Sequence, residues 1–468
     1  MRRRTGHTHA LLPAFAVTAL LLAAGCSSPA PRAEQPAAAP SREARDSDGP
    51  TTAAADRSLT VAAAPTATGT AAAGSAGSGR RAHTTSLAVS SYDSKTRRAV
   101  MSPRAGGSSA SPGPSASPGE ATVGDVIASA PAPGAPHGLL AKVTKVIGET
   151  DRGTEVQTEP ARLNALLGDD TARGTVPVDP ASFAVDKLLP DVKVSWSKAG
   201  DVHVGPKGAT VPLGSLRVDL NADIPTPEGS PVSGKASVSG FVQVAPQVDF
   251  RYGGAGTDAA PGSAYLGVSG DWTSGWSVKG RAAASATPLR IPFAKLHADP
   301  VLQVGPVPVV VNLDLTCYFQ ISGDGRITVD VAQSVKGDFK AGGTYGSAQG
   351  WTPVSAADMT GTPVRTSVTT AGGVKAALGT EASVGLYGTV GVTADLAPYV
   401  RGEASGTVTA SSGTAGAGAD GTWGVYGGVD LSGTLRIQLS IFGTPVLQRS
   451  VPLGSLHREW NLAGSAAP

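Results

Sequence analysis

Residues 309–321 read Val-Val-Val-Asn-Leu-Asp-Leu-Thr-Cys-Tyr-Phe-Gln-Ile. Val309, Val311, Leu313, Leu315, Cys317, Phe319 and Ile321 share one parity. Val310, Asn312, Asp314, Thr316, Tyr318 and Gln320 share the other. Successive side chains of a strand point to opposite faces, so this spacing predicts a strand with one buried and one wetter face. That is the pattern of an antiparallel sheet packed on a core by one side.

Working outward, Ser322-Gly-Asp-Gly reads as a turn, and Ile327, Val329 and Val331 resume the alternation beyond it. Upstream, Leu216, Val218, Leu220, Ala222 and Ile224 alternate with Arg217, Asp219, Asn221 and Asp223. Downstream, Val384, Leu386, Val390, Val392 and Leu396 share a parity, as do Trp423, Val425, Val429, Leu431, Leu435, Ile437, Leu439 and Ile441. Glycines inside these runs, such as Gly385, Gly428 and Gly433, read as bends or bulges of a curling sheet. Nearer the start, residues 138–147 and 154–158 flank Asp151-Arg-Gly153 as a hairpin. Glu159 to Leu167 reads as a short helix with Thr158 at its N-cap and Pro160 in its first turn. Helical periodicity is nearly absent beyond residue 170. The predicted fold is all-β: a large antiparallel β-sandwich or barrel with long curled strands and one short N-terminal helix.

Composition agrees. Of 468 residues, 61 are Gly and 36 Pro, charged residues are 16 %, aromatics 5 %, and there are two cysteines. A formal net charge of +2 excludes a nucleic-acid binder carried by charge. The cysteine count excludes a disulfide scaffold, and the absence of a G-x-y or heptad period excludes collagen and coiled coil.

The amino terminus has a different texture. Arg2, Arg3 and Arg4 precede an apolar stretch from Leu11 to Ala24, too short to span a bilayer as a helix and suited to a signal peptide. It ends in Leu22-Ala23-Ala24-Gly25-Cys26. These residues resemble the lipobox of bacterial lipoproteins, departing from it at Ala23, where Leu or Val is more usual. The resemblance covers about the first 28 residues. It implies a diacylglycerol on the Cys26 sulfur, palmitate-type acyl chains and cleavage that makes Cys26 the first mature residue. Residues 1–25 are then the signal peptide. Residues 26–136, rich in Ala, Pro, Ser and Gly, read as a disordered tether, within which Ser86-Leu-Ala-Val and Ala121-Thr-Val-Gly-Asp-Val-Ile are short apolar islands. Residues 137–468 read as a single large β-domain. Cell-membrane attachment through the lipid, on the extracellular face of the cell envelope, follows from the resemblance.

Chemistry is sparse. Cys317 shares the parity of Leu315 and Phe319 and reads as a core residue. His137, His203, His297 and His457 show no local metal-ligand spacing, so the local sequence assigns no metal and no cofactor; ligands converging in space stay open. Asp314 and Asp330 are candidate ligand-binding residues. If residues 314 and 330 lie on neighbouring strands of one hairpin, with Asn312 near, their carboxylates form the kind of pair that glycoside hydrolysis uses. Trp272 and Trp276, four apart and so on one strand face, are the candidates for a sugar-binding platform. No catalytic residue is assigned. The first functional reading is a non-enzymatic binding or structural module displayed on the cell surface, with a cell-wall glycan or protein as partner and no nucleic acid. The alternatives are a glycan-directed extracellular hydrolase using the polar-face carboxylates and a lipid-carrying β-barrel.

Overall fold

The computed structural model describes residues 58–64, 70–73, 82–103, 121–197, 203–205, 208–210, 215–224, 236–254, 261–284, 288–323, 325–361, 365–408, 410–411, 419–436 and 450–464. Cys26 and the rest of the signal segment lie outside them. Ala55–Pro468 forms one compact unit. Five strands of its amino-terminal part are β1 (Leu87–Asp93), β2 (Arg98–Pro103), β3 (Val126–Ser129), β4 (Leu139–Thr150) and β5 (Gly153–Pro160), followed by α1 (Asn164–Leu167). The main strands are β6 (Ser215–Ile224), β7 (Ala236–Gly253), β8 (Ser263–Ala284), β9 (Leu289–Ala298), β10 (Val307–Gly323), β11 (Gly325–Gly346) and β12 (Gly350–Gly361). They continue with β13 (Arg365–Leu386), β14 (Thr389–Val408), β15 (Ala419–Arg436) and β16 (Ser450–Gly464).

The fold is all-β, and among the described residues the strands form no closed barrel, as in a sandwich. In its first sheet β6, β7, β8, β11 and β12 are paired in that order, all antiparallel. In the second, β9, β10, β13, β14, β15 and β16 run in order, again antiparallel. β13 belongs to both. Arg365–Ala371 pairs with β11, while the stretch from Val374 to Leu386 pairs with β10. The strands are long, as the sequence predicts: β8, β11 and β13 have 22 residues each.

The parity of residues 309–321 decides the core. Val309, Val311, Leu313, Leu315, Cys317, Phe319 and Ile321 are all buried, and face Val248, Val268, Trp272, Trp276 and Phe339 of the first sheet within one apolar cluster. Burying a Val, Leu or Phe side chain contributes roughly 1.5–3 kcal/mol. The opposite parity is wetter only in part. Asp314 is exposed, but Val310, Asn312 and Tyr318 are covered.

Val310 is covered by the amino-terminal sheet. β1, β2, β5, β4 and β3 pair in that order. One face of this sheet holds a small core of Leu87, Val89, Met101, Ile127, Val143 and Val156. From the other face Val126, Ala128 and Leu140 join the main core. The connection from β3 to β4 lies on β10. Gly138 has φ +75°, and a Cβ there would stand 2.5 Å from Val310 Cγ2 and 2.7 Å from the Ser129 carbonyl oxygen, so only glycine permits this approach.

Two expectations change. The folded unit begins well before His137: both apolar islands of the expected tether form strands, β1 and β3, and Ser58–Leu59 and Val61–Ala63 pair with Thr171–Ala172 and Leu302–Val304 of the sandwich. The helix is shorter and later than predicted. Pro160 ends β5, and the helix starts at Asn164 with Leu163 at its N-cap. Thr158 pairs with Val143 in the ladder instead, which offers its backbone more than a cap would.

Candidate functional site

The outer face of the second sheet carries the polar chemistry. Three tyrosine rings lie on it with a cation over each. Arg290 stands 3.5 Å from the Tyr318 ring centre, Lys375 3.7 Å from that of Tyr399, and Arg401 4.3 Å from that of Tyr426. Tyr318 pairs across strands with Gly379 and Tyr399 with Gly428, and a methyl on either glycine would collide with the ring. Glycine in these strands therefore provides a seat for an aromatic ring, a role distinct from bending. Bulges do fall at Gly385 and beside Gly433.

Each cation also pairs with carboxylates. Arg290 holds Glu381 at 2.8 Å and Asp395 at 3.1 Å, and Tyr318 Oη donates to Asp395 at 2.5 Å. Burial raises the Asp395 carboxyl above its usual range, against the lowering pull of Tyr318 and Arg290. Lys375 and His457 share Asp430, and Arg401 bridges Glu459 and Glu403. Arg401, helped by the Tyr399 hydroxyl, holds Glu459 below the usual carboxylate range against the opposing effect of burial. In these lanes positive and negative groups alternate.

One corner of the same face breaks that pattern. His297 at the end of β9 pairs in register with Asp314 of β10. Its Nδ1 lies 2.7 Å from Asp314 Oδ1 and its Nε2 2.8 Å from Asp299 Oδ2. His137, carried in by the β3–β4 connection, places Nδ1 3.2 Å from Asp299 Oδ1, and the two imidazoles meet edge to face at 5.5 Å. Asn312 donates from Nδ2 to Asp299 Oδ1 at 2.5 Å and accepts the Gly388 N–H from the β13–β14 turn. A Cβ on Gly388, at φ +79°, would stand 3.5 Å from the His137 ring. Burial acts to lower the His297 pKa, but the two carboxylates outweigh it and raise it. Among the described residues no Lys or Arg forms an ion pair with Asp299 or Asp314.

The residues singled out in the sequence are distributed as follows. Asp314 belongs to this corner, with Asn312 near it as expected. Asp330 does not, because β10 and β11 run on in one direction along β13, in one continuous register, instead of folding back as a hairpin. Asp314 pairs with Ser383 and the Asp330 backbone with Ser367, sixteen positions apart on β13. At about 3.3 Å per strand residue, that is roughly 50 Å along an extended strand, far beyond a carboxylate pair. Glu381 and Asp395 are one pair of carboxylates that does meet, directly opposite on β13 and β14. Trp272 and Trp276 share a face, as predicted, but it is the inner one. Both are buried, with Nε1 atoms lacking partners. They build the core and present no sugar platform. Cys317 is buried too, and burial pushes its thiol up to about 12, leaving it inert near neutrality.

Between the sheets, Trp272, Ser274, Leu315, Phe339, Leu378 and Leu431 help line a cavity of about 30 Å³. That is room for about two waters, and the unpartnered Ser274 hydroxyl and Trp272 Nε1 are groups such waters could satisfy. It is too small for an acyl chain.

No protein-family model matches this chain, and no curated protein does. No helix among the described residues is long and apolar enough to cross a membrane.

Proposed function

We propose that this chain is a lipid-anchored protein of the bacterial cell envelope that displays a non-enzymatic β-sandwich outside the membrane as a binding or structural module. The observation that carries the reading is the sequence Leu22-Ala-Ala-Gly-Cys26 after a basic start and a short apolar run. Two or three acyl chains, at ~0.8 kcal/mol per buried CH₂, suffice to hold such a module at a membrane. The outer face of the second sheet supports the rest. Its carboxylates are largely matched by cations in a broad polar lattice, which suits recognition of a wall glycan or protein better than acid–base chemistry. The substitution Cys26→Ser is expected to move the protein from the membrane fraction to the medium and to abolish incorporation of radiolabelled palmitate. Unchanged membrane retention contradicts the anchor.

The hydrolase reading keeps one specific support, the Glu381–Asp395 pair with the Asp395 carboxyl raised by burial. Arg290 between the two argues against it, because a guanidinium bound to both favours two carboxylates over one acid and one base. Release of reducing ends from cell-wall glycan that Glu381→Gln abolishes would favour it.

A further inference from the structure

We propose that His137, His297 and Asp299 form a binding site for a divalent transition-metal ion of borderline softness, zinc above all, with Asp314 and Asn312 orienting the ligands.

The donor set comes first. Two imidazoles and one carboxylate are the ligands that suit zinc, cobalt, nickel or copper, whereas calcium and magnesium prefer oxygen alone. Ligand atoms of the three side chains all lie within 4.8 Å of one another. His137 Nδ1 and His297 Nε2 both face the Asp299 carboxylate, so the three donors converge without any change of fold.

The support around them comes next. A metal-ligating histidine usually gives its second ring nitrogen to a carboxylate or carbonyl, which fixes the tautomer and the ring plane. His297 does this with Asp314, leaving Nε2 as the metal-facing atom. The ligating carboxylate is held in turn by Asn312, which is itself 7 % exposed and anchored by the Gly388 N–H.

The third argument is charge. Elsewhere on this face Glu381, Asp395, Asp430, Glu403 and Glu459 each touch a Lys or Arg, while Asp299 and Asp314 touch neither among the described residues. A divalent ion would bring a stronger positive charge to carboxylates that only histidines pair with among the described residues. On binding, three coordinate bonds form, each to a ligand atom that carries no proton, so metal and proton compete for the same atoms. The His137 and His297 side chains remain about two-fifths exposed, so a fourth position stays open to water or to a partner's ligand. Because His137 enters from the amino-terminal sheet and the other ligands from the sandwich, the ion would tie the two together.

The test uses the full chain in detergent without a histidine tag, titrated with Co²⁺ as a spectroscopic probe and then with Zn²⁺ in competition. One equivalent of Co²⁺ is expected to give visible d–d absorption that Zn²⁺ removes, and Zn²⁺ is expected to raise the thermal midpoint. Asp314→Asn keeps all three ligands and is expected to weaken binding ~10–100-fold. His137→Ala and His297→Ala are expected to weaken it further, while His457→Ala leaves it unchanged. Asp314→Asn reports even where a ligand variant fails to fold. The proposal is overturned if the wild type binds no stoichiometric metal, or if affinity survives both His137→Ala and His297→Ala. An unchanged affinity in Asp314→Asn removes that residue's positioning role. None of these outcomes depends on the lipid anchor.

Discussion

His297 and His457 lie on the same outer face of the same sheet, and each sits beside an aspartate at 2.7 Å. Their surroundings differ in one respect that governs their chemistry. Asp430, the partner of His457, is also held by Lys375 at 2.5 Å, and the His457 ring stacks on Tyr399 at 5.9 Å. That imidazole is one member of a lattice in which each carboxylate touches a Lys or Arg. His297 faces two carboxylates and a second imidazole, with no Lys or Arg paired to either carboxylate among the described residues. In the lattice a Lys or Arg already stands against each of these carboxylates. The corner around His297 has donors in excess of cations and is built to receive one. A histidine's role here follows from the charges one shell out.

The contrast can be attacked from the lattice side first. Tyr399 is fully buried between Gly428 and Lys375, so Tyr399→Ala is expected to destabilise the fold by about 3 kcal/mol in chemical denaturation. Metal affinity should not change. A loss of metal binding in that variant would show that the two regions are one.

Gly138→Ala probes the corner through the backbone, at about 2 kcal/mol for a side chain at positive φ pressed on Val310 and the Ser129 carbonyl. Because it displaces the segment that carries His137, it should also weaken metal binding. Equal metal affinity in a destabilised protein would argue that His137 is not a ligand.

The smallest effect is acid sensitivity. Arg401 holds Glu459 ionised to lower pH than in the unfolded chain. Its contribution is therefore fully present above the ordinary carboxylate range, near pH ~4.3, and is lost as pH falls through the depressed folded value. Wild type and Glu459→Gln should differ in thermal midpoint at pH 7 and converge in strong acid. Curves that stay parallel would remove Glu459 from the stability of the lattice.

Much of the fold is written in period two. The parity of Val309 to Ile321 names the buried residues of the central strand, and Leu216, Val218 and Leu220 do the same for β6. Parity states which residues share a face but not which face turns inward. Trp272 and Trp276 were therefore legible as neighbours, while their burial depended on the second sheet. The expected turn at Ser322–Gly325 is not one: β10 and β11 run on in the same direction and pair with successive halves of β13 in one continuous register. In the amino-terminal stretch, low-complexity composition concealed β1 and β3, whose few apolar residues are covered by elements that lie further along the sequence. The metal-ligand constellation was the hardest to see. Its members stand at 137, 297 and 299, and the sole local trace is His297-Ala-Asp299, two same-face residues at a strand end. Asp314 was legible as a candidate, with the histidine it supports supplied by cross-strand register.

The central claim is that this corner binds a metal where the His457 lattice does not. Crystals of the full chain grown with one equivalent of zinc, measured at the zinc absorption edge, test it most directly. The expected anomalous map has one strong peak about 2.0–2.2 Å from His137 Nδ1, His297 Nε2 and an Asp299 oxygen. A peak at His457 instead, or none at either histidine, would contradict it.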